Sequence, residues 1–206
     1  MVLLVGTFLM PKAHSHPVSY KDALAVMTYA QPFLNDTWLV YSFRPDAAFA
    51  GRYMTMDMEK GGKFDFYFPQ IDYLLKRWNQ PDFQANIYLW GGFGGIYFQK
   101  KNGTAGDVGI EADLESRKWF MWGKFEPIFP SIGEKFYLAE LRLGVAPYEA
   151  EFNELASWFM IRGQINHGLT VEYAITPMAR FFYKNALWEM GVSFKGDWMI
   201  NLMFHF

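Results

Sequence analysis

Two residues near the end of the chain have side chains suited to acid–base chemistry. A turn centred on Gly196 would set Glu189 diagonal to His205 on one face, and a carboxylate that orients an imidazole can create a general base. Ser193 shares that face but lies several residues away, and no G-x-S-x-G motif is present. We therefore predict no catalytic residue and interpret the pair as part of a structural polar network. An enzyme with a His–carboxylate site is the alternative.

Metal binding is the second chemistry that the residue types suggest. Thioether and imidazole groups suit Cu(I), and alternating methionines occur in two places. The two groups are Met54, Met56 and Met58, and Met199 and Met203 together with His205. Methionine also fills irregular gaps in protein interiors. Cysteine is absent, which excludes disulfides and thiolate zinc sites. We predict neither a metal site nor a cofactor.

The composition is unusual in its aromatic content. The 206 residues are 20% aromatic and 51% hydrophobic, yet the mean hydropathy is only −0.05, so apolar and polar residues must be interleaved. The net charge of −2 provides no basic excess for binding nucleic acid. After the N-terminal segment, no apolar run is long enough for a transmembrane helix, which needs about 18 residues.

Alternation with a period of two residues recurs along almost the whole chain and predicts strands. Turn-forming pairs such as Asn102-Gly103 separate the segments. The predicted strands are residues 20–30, 37–44, 47–58, 64–78, 83–99, 107–116, 119–127, 135–146, 156–166, 170–183, 186–194 and 198–206. Their number and length predict an all-β protein, a closed antiparallel up-and-down transmembrane β-barrel of about 12 strands, with about 10–14 as the range.

The polar faces of these strands carry both charge signs. In a membrane barrel the apolar face meets lipid and the polar face lines the interior, whereas a soluble barrel has the opposite arrangement. The predicted charged network of the lumen comprises Glu111, Asp113, Lys124, Glu126, Glu140, Arg142, Arg162, Glu172, Arg180, Glu189 and His205. Tight turns would set Glu111 opposite Lys124 and Arg180 opposite Glu189, so that some of these charges pair.

Large aromatic residues concentrate near strand ends of the apolar faces. They are Trp38, Trp78, Trp119, Trp158, Trp188, Trp198, Phe181, Tyr183 and Phe206. This placement suits the interfacial belts of membrane proteins. A soluble barrel has room inside for only a few layers of side chains and could not bury so many rings. A membrane barrel is therefore favoured over a soluble lipocalin-like binding barrel.

The first residues have the features of a secretory signal. The segment VLLVGTFLM is short and apolar, and Ala13-His14-Ser15 resembles a cleavage site with small residues. A basic segment before the apolar stretch is missing, so the signal peptide predicted over residues 1–15 could be truncated. Residues 16–206 contain no repeat, linker or composition change, and we predict that they form a single barrel domain.

The C-terminal segment WMINLMFHF resembles the closing strand of bacterial outer-membrane β-barrel proteins. In that class the last residue is typically Phe, preceded by apolar residues at every second position. The residues that match this pattern are Trp198, Ile200, Leu202, Phe204 and Phe206. The resemblance is to the class, not to one family. It implies that these residues form the signal read by the barrel-assembly machinery.

The resemblance implies a location in the outer membrane of a Gram-negative bacterium, with lipid as the surrounding partner. Long charged side chains leave little free bore in a barrel of this size. The function expected from the sequence is therefore a narrow channel for small solutes or a closed structural barrel with a charged lumen. The alternatives are an outer-membrane enzyme with a lumenal His–carboxylate site and a soluble binding barrel. The sequence leaves the identity of the transported solute open.

Overall fold

Twelve antiparallel strands dominate residues 18–151 and 153–206, the part of the chain that this computed structural model describes. The strands are β1 (Leu24–Gln31), β2 (Leu34–Arg44), β3 (Ala47–Asp57), β4 (Lys63–Asn79), β5 (Phe83–Phe98), β6 (Lys101–Ser116), β7 (Trp119–Pro130), β8 (Phe136–Val145), β9 (Ala156–His167), β10 (Tyr173–Tyr183), β11 (Ala186–Val192) and β12 (Trp198–His205). The signal peptide predicted over residues 1–15 lies outside the described residues.

The strands form one closed barrel in which each strand pairs with its neighbours in the sequence. The ring closes where β1 pairs with β12, with Ala25 opposite His205. Closure removes the unpaired sheet edges that would otherwise invite aggregation. The predicted fold class, a closed antiparallel up-and-down barrel of about 12 strands, is confirmed, and each predicted strand overlaps an observed one.

Two of the predicted hairpin registers are confirmed, and the third is wrong. Glu111 lies opposite Lys124, and Arg180 lies opposite Glu189. In the last hairpin, however, Glu189 lies opposite Asn201. The connection after β11 spans five residues with Gly196 at a φ of 92°, so it is not centred on that glycine. The register of β12 is therefore shifted by two residues from the prediction.

We refer to the two ends of the barrel as the terminal rim and the far rim. The terminal rim is the end where β1 begins and β12 ends, and the far rim is the opposite end.

Among the described residues, no helix is long and apolar enough to cross a membrane.

The interior has an apolar cluster next to the far rim. This far cluster comprises Phe33, Leu34, Met54, Met56, Met58, Phe64, Phe66, Phe68, Ile96, Ala105, Ile128, Phe136, Leu138 and Leu169. Phe64 stacks on Phe98 with ring centroids 4.0 Å apart. A second apolar group, which includes Val40, Tyr88 and Trp90, lies toward the terminal rim. Charged side chains occupy the region between the two groups.

Candidate functional site: the barrel lumen

All but one of the charged residues predicted to line the lumen lie on the inner face of the barrel. Glu111, Asp113, Glu126, Arg142, Arg162, Arg180, Glu189 and His205 are buried, and Lys124 and Glu140 are half-buried. The placement of Glu172 in the lumen is wrong: this residue is exposed and precedes β10. The predicted strand began too early, because residues 168–172 form the connection in which Gly168 has a φ of 87°.

The centre of the lumen holds an arginine that the sequence prediction missed. Arg52 on β3 donates two hydrogen bonds of 2.8 Å to Asp36 on β2. The same guanidinium reaches Asp107 on β6 at 3.2 Å and forms a close ion pair with Glu126 on β7. Its carbon lies 4.4 Å from the centre of the Trp38 ring. Since β3 pairs only with β2 and β4, the contacts to β6 and β7 cross the lumen.

A second ion-pair group links the strands on the other side of the barrel. Arg142 pairs with Glu140 on its own strand and reaches Glu189 on β11 at 2.7 Å. Arg180 donates to the same Glu189 at 2.6 Å, and Arg162 donates to Glu140 at 2.6 Å. Three guanidinium groups therefore share two carboxylates. Pairing of this kind offsets the cost of burying charge in a narrow interior.

Glu111 lies apart from both groups, although its register is as predicted. The Lys124 ammonium opposite it turns to Glu126, at 3.3 Å, instead of to Glu111. Within the described residues, no cationic side chain lies within ion-pair distance of Glu111.

His205 and Glu189 are not brought together. Glu189 is saturated by Arg142, Arg180 and the amide of Asn201, which donates at 2.7 Å. The register of β12 places His205 four residues beyond Asn201, toward the terminal rim. Neither ring nitrogen of His205 has a hydrogen-bond partner among the described residues. The geometry therefore contains no His205–Glu189 pair that could serve as a general base.

The two methionine groups that suggested a copper site lie in different parts of the lumen. Met54 and Met56 belong to the far cluster, where phenylalanine rings surround them. Met199 packs with Phe120 and Trp122 in a separate apolar group. In residues 18–151 and 153–206, no group of three or more His, Cys, Asp or Glu side chains could hold a metal ion.

The far mouth of the barrel is crossed by two connections that meet over the lumen. Met58, just after β3, forms an isolated antiparallel bridge with Leu169, which follows β9. The backbone amide of Glu59 donates to the carbonyl of Gly168, and the backbone amide of Thr170 donates to the carbonyl of Asp57, each at 3.0 Å. In a ring of twelve strands, β3 and β9 lie on opposite sides. We call this bridge and its flanking hydrogen bonds the latch.

The outer surface of the barrel is apolar. Side chains exposed there include Leu39, Phe49, Ile71, Phe93, Val108, Ile110, Phe125, Leu141, Phe159, Ile161, Ile165, Ile175, Val192, Ile200 and Leu202. Two of the rings assigned to the aromatic belts lie inside instead, because Trp38 contacts Arg52 and Trp158 packs beside Met160. This arrangement is the reverse of a soluble barrel, which keeps its apolar face inside.

Comparison with known proteins gives matches in structure only. No protein-family model and no curated protein sequence matches the chain. The KdgM porin in complex with disordered oligogalacturonate is 9% identical, with a TM-score of 0.49 and coverage of 88% of this chain and 98% of that chain. The β domain of the Bordetella autotransporter BrkA is 11% identical, with a TM-score of 0.46 and coverage of 89% and 97%. OmpT, an outer membrane protein of Vibrio cholerae, is 8% identical, with a TM-score of 0.31 and coverage of 94% and 99%.

The barrel itself supports the class-level resemblance. An even number of antiparallel strands, complete closure, an apolar exterior and a charged interior are together the defining features of outer-membrane β-barrels. The resemblance to bacterial outer-membrane β-barrels, first indicated by the C-terminal strand, is confirmed at the level of the fold.

Proposed function

We propose that this chain is a small-solute channel of the bacterial outer membrane, and that the structure represents its closed state. The apolar exterior supports the location, because so many exposed Phe, Ile, Leu and Val side chains suit lipid and not water. The latch supports the closed state, because it joins opposite sides of the far mouth.

The observation that carries the proposal is the contrast between two parts of one lumen. Next to the far rim the chain fills the interior with Phe64, Phe66, Met54 and Met56. In the middle it places Arg52, whose burial requires several carboxylates around it. Apolar side chains could fill the middle as well, since replacing a buried ion pair by apolar residues is often neutral or stabilising. Charge retained at that position supports contact with polar solutes when the barrel opens.

The latch permits a direct test of opening. Its hydrogen bonds flank the Met58–Leu169 bridge, which makes it a non-hydrogen-bonded pair with Cα atoms about 4.5 Å apart, within disulfide range. The chain has no cysteine, so Met58→Cys with Leu169→Cys introduces a single possible disulfide. Conductance of the reconstituted double variant is recorded in planar bilayers before and after reduction, with each single variant as a control.

We expect single-channel steps from the reduced double variant and from the unmodified protein, and none from the oxidised double variant. A barrel that stays silent in all forms, although it is folded by heat-modifiable gel mobility, is a closed structural barrel. That result would overturn the channel proposal.

A further inference from the structure

A polar cavity lies in the middle of the lumen between the two ion-pair groups. It has two lobes, and Tyr29, Glu111, Trp122 and Arg142 line both of them. The lobe nearer the far rim is also lined by Arg162. The cavity is enclosed by β1 and β2 on one side and β6–β9 on the other, so it occupies the path of any solute through the barrel.

One side of this cavity has a buried carboxylate with no ion-pair partner among the described residues. Glu111 is 7% exposed and lines both lobes. The nearest candidate cation, Lys124, is engaged by Glu126. A buried carboxylate is costly to keep ionised without a cation in contact, and a cation from elsewhere would supply that contact.

The other side of the cavity has spare positive charge and spare donors. Arg142, Arg162 and Arg180 together exceed the two carboxylates that they share by one charge. Arg162 is 4% exposed, and its Nε has no hydrogen-bond partner in the part of the chain that the structure describes. The indole nitrogen of Trp38, which lines the same lobe, also lacks an acceptor within residues 18–151 and 153–206. These open donors would suit the oxygens of a carboxylate.

We propose that the central cavity binds a small zwitterion of the amino-acid type, with its ammonium group at Glu111 and its carboxylate at Arg162. The inference rests on the proposed channel function and names the solute class that the channel would take. A lone cation would leave the open donors of Arg162 and Trp38 without an acceptor, and a lone anion would leave Glu111 without a cation in contact. A neutral sugar would satisfy donors and acceptors but neither charge.

Binding is measured with the full chain in detergent micelles by isothermal titration calorimetry. The probes are glycine, methylamine, acetate and glucose, which carry respectively both charges, the positive charge alone, the negative charge alone and neither charge. Fluorescence of the indoles that line the cavity, Trp38 and Trp122, provides a second readout. We expect glycine to bind at least about tenfold more tightly than each of the other three, because each of those probes leaves either Glu111 or the open donors of Arg162 and Trp38 without a charged partner.

Two variants test the two ends of the site. Glu111→Gln and Arg162→Gln should each weaken glycine binding at least about tenfold, because each removes one charge that the zwitterion meets. Glu172→Gln makes the same carboxylate-to-amide change at the exposed far rim and should leave binding unchanged. Heat-modifiable mobility checks that each variant is folded. If Arg162→Gln fails to fold, Glu111→Gln alone must produce the loss.

Several results would overturn the assignment. They are binding of methylamine, acetate or glucose as tight as that of glycine, no binding of glycine, and undiminished binding to folded Glu111→Gln. The conductance experiment tests the channel separately from the binding site. Glycine binding in a barrel that never conducts would remove the channel but keep the site, whereas conductance without glycine binding would remove only the zwitterion.

Discussion

Arg52 on β3 and Glu126 on β7 form an ion pair across the lumen, between strands that share no hydrogen bonds. The side chains of both residues are completely buried. Because the same guanidinium also holds Asp36 and Asp107, one residue ties three other strands to β3. The pair therefore fixes the cross-section of the closed lumen and not only the pairing of adjacent strands.

Replacing Arg52 should strongly destabilise the barrel. Arg52→Ala leaves Asp36, Asp107 and Glu126 without their central cation, and removal of one partner of a buried ion pair typically costs about 3–5 kcal/mol. Urea unfolding in lipid vesicles, followed by tryptophan fluorescence, measures the change in the free energy of unfolding.

An exposed arginine provides the matched control for that change. Arg44 pairs with Asp46 at 2.8 Å, but its side chain is 62% exposed. Arg44→Ala should therefore cost about 0–1 kcal/mol, the range for solvated pairs. Equal losses in the two variants would mean that the cross-lumen ion pair does not hold the barrel together.

The latch should be sensitive to a single hydroxyl group. Thr170 donates from its side chain to the carbonyls of Asp57 and Met58, at 3.1 and 3.3 Å. Thr170→Val keeps the shape and removes these bonds, which are worth about 1 kcal/mol, so the open population should rise roughly fivefold. Open probability in planar bilayers measures the effect. Thr104→Val, an exposed threonine near the same rim, should leave it unchanged.

The sequence was sufficient to predict the strands and the registers of two tight hairpins, because alternation and turn chemistry are local signals. The pairing of Arg180 with Glu189 followed from the two-residue turn between them. The connection after β11 is longer than a two-residue turn, so the register predicted for the last hairpin was wrong. In the observed register, His205 lies away from Glu189. The Arg52–Glu126 pair could not be predicted, because hairpin registers relate neighbouring strands and say nothing about strands on opposite walls.

The far cluster shows a second limit of sequence patterns. Phe64, Phe66 and Phe68 alternate with Asp65 and Tyr67, and a membrane barrel would be expected to direct the phenylalanines toward lipid. The structure buries the three phenylalanines inside and exposes Tyr67. Alternation identifies two faces, but only the global register decides which one is inward. Gln70 and Asp72 continue the face of the phenylalanines along the same strand, and Ile71 continues the opposite face, which was the local hint that the phenylalanines point inward.

The apolar exterior makes a depth-dependent prediction. Ile161 is exposed at the middle of β9, and Ile161→Arg should cost about 2–4 kcal/mol in a bilayer, as arginine does near the midplane. Tyr183 is exposed at the end of β10, where Tyr183→Arg should cost about 0–1 kcal/mol. Reversible unfolding from vesicles measures both changes. Equal and small costs would indicate that this surface faces water.

Phe206 should matter for assembly more than for the stability of the finished barrel. Its side chain is 67% exposed, while its backbone exchanges hydrogen bonds with Leu24 at 2.8 and 3.3 Å. Phe206→Ala keeps these backbone bonds and removes only an exposed ring, so the free energy of unfolding should change by less than about 1 kcal/mol. If the barrel-assembly machinery reads the terminal ring, the amount of folded barrel in outer-membrane fractions should fall severalfold. Phe194→Ala, which removes a ring that is 77% exposed elsewhere, is the control. Equal yields of the two variants would show that the terminal Phe is not read during assembly.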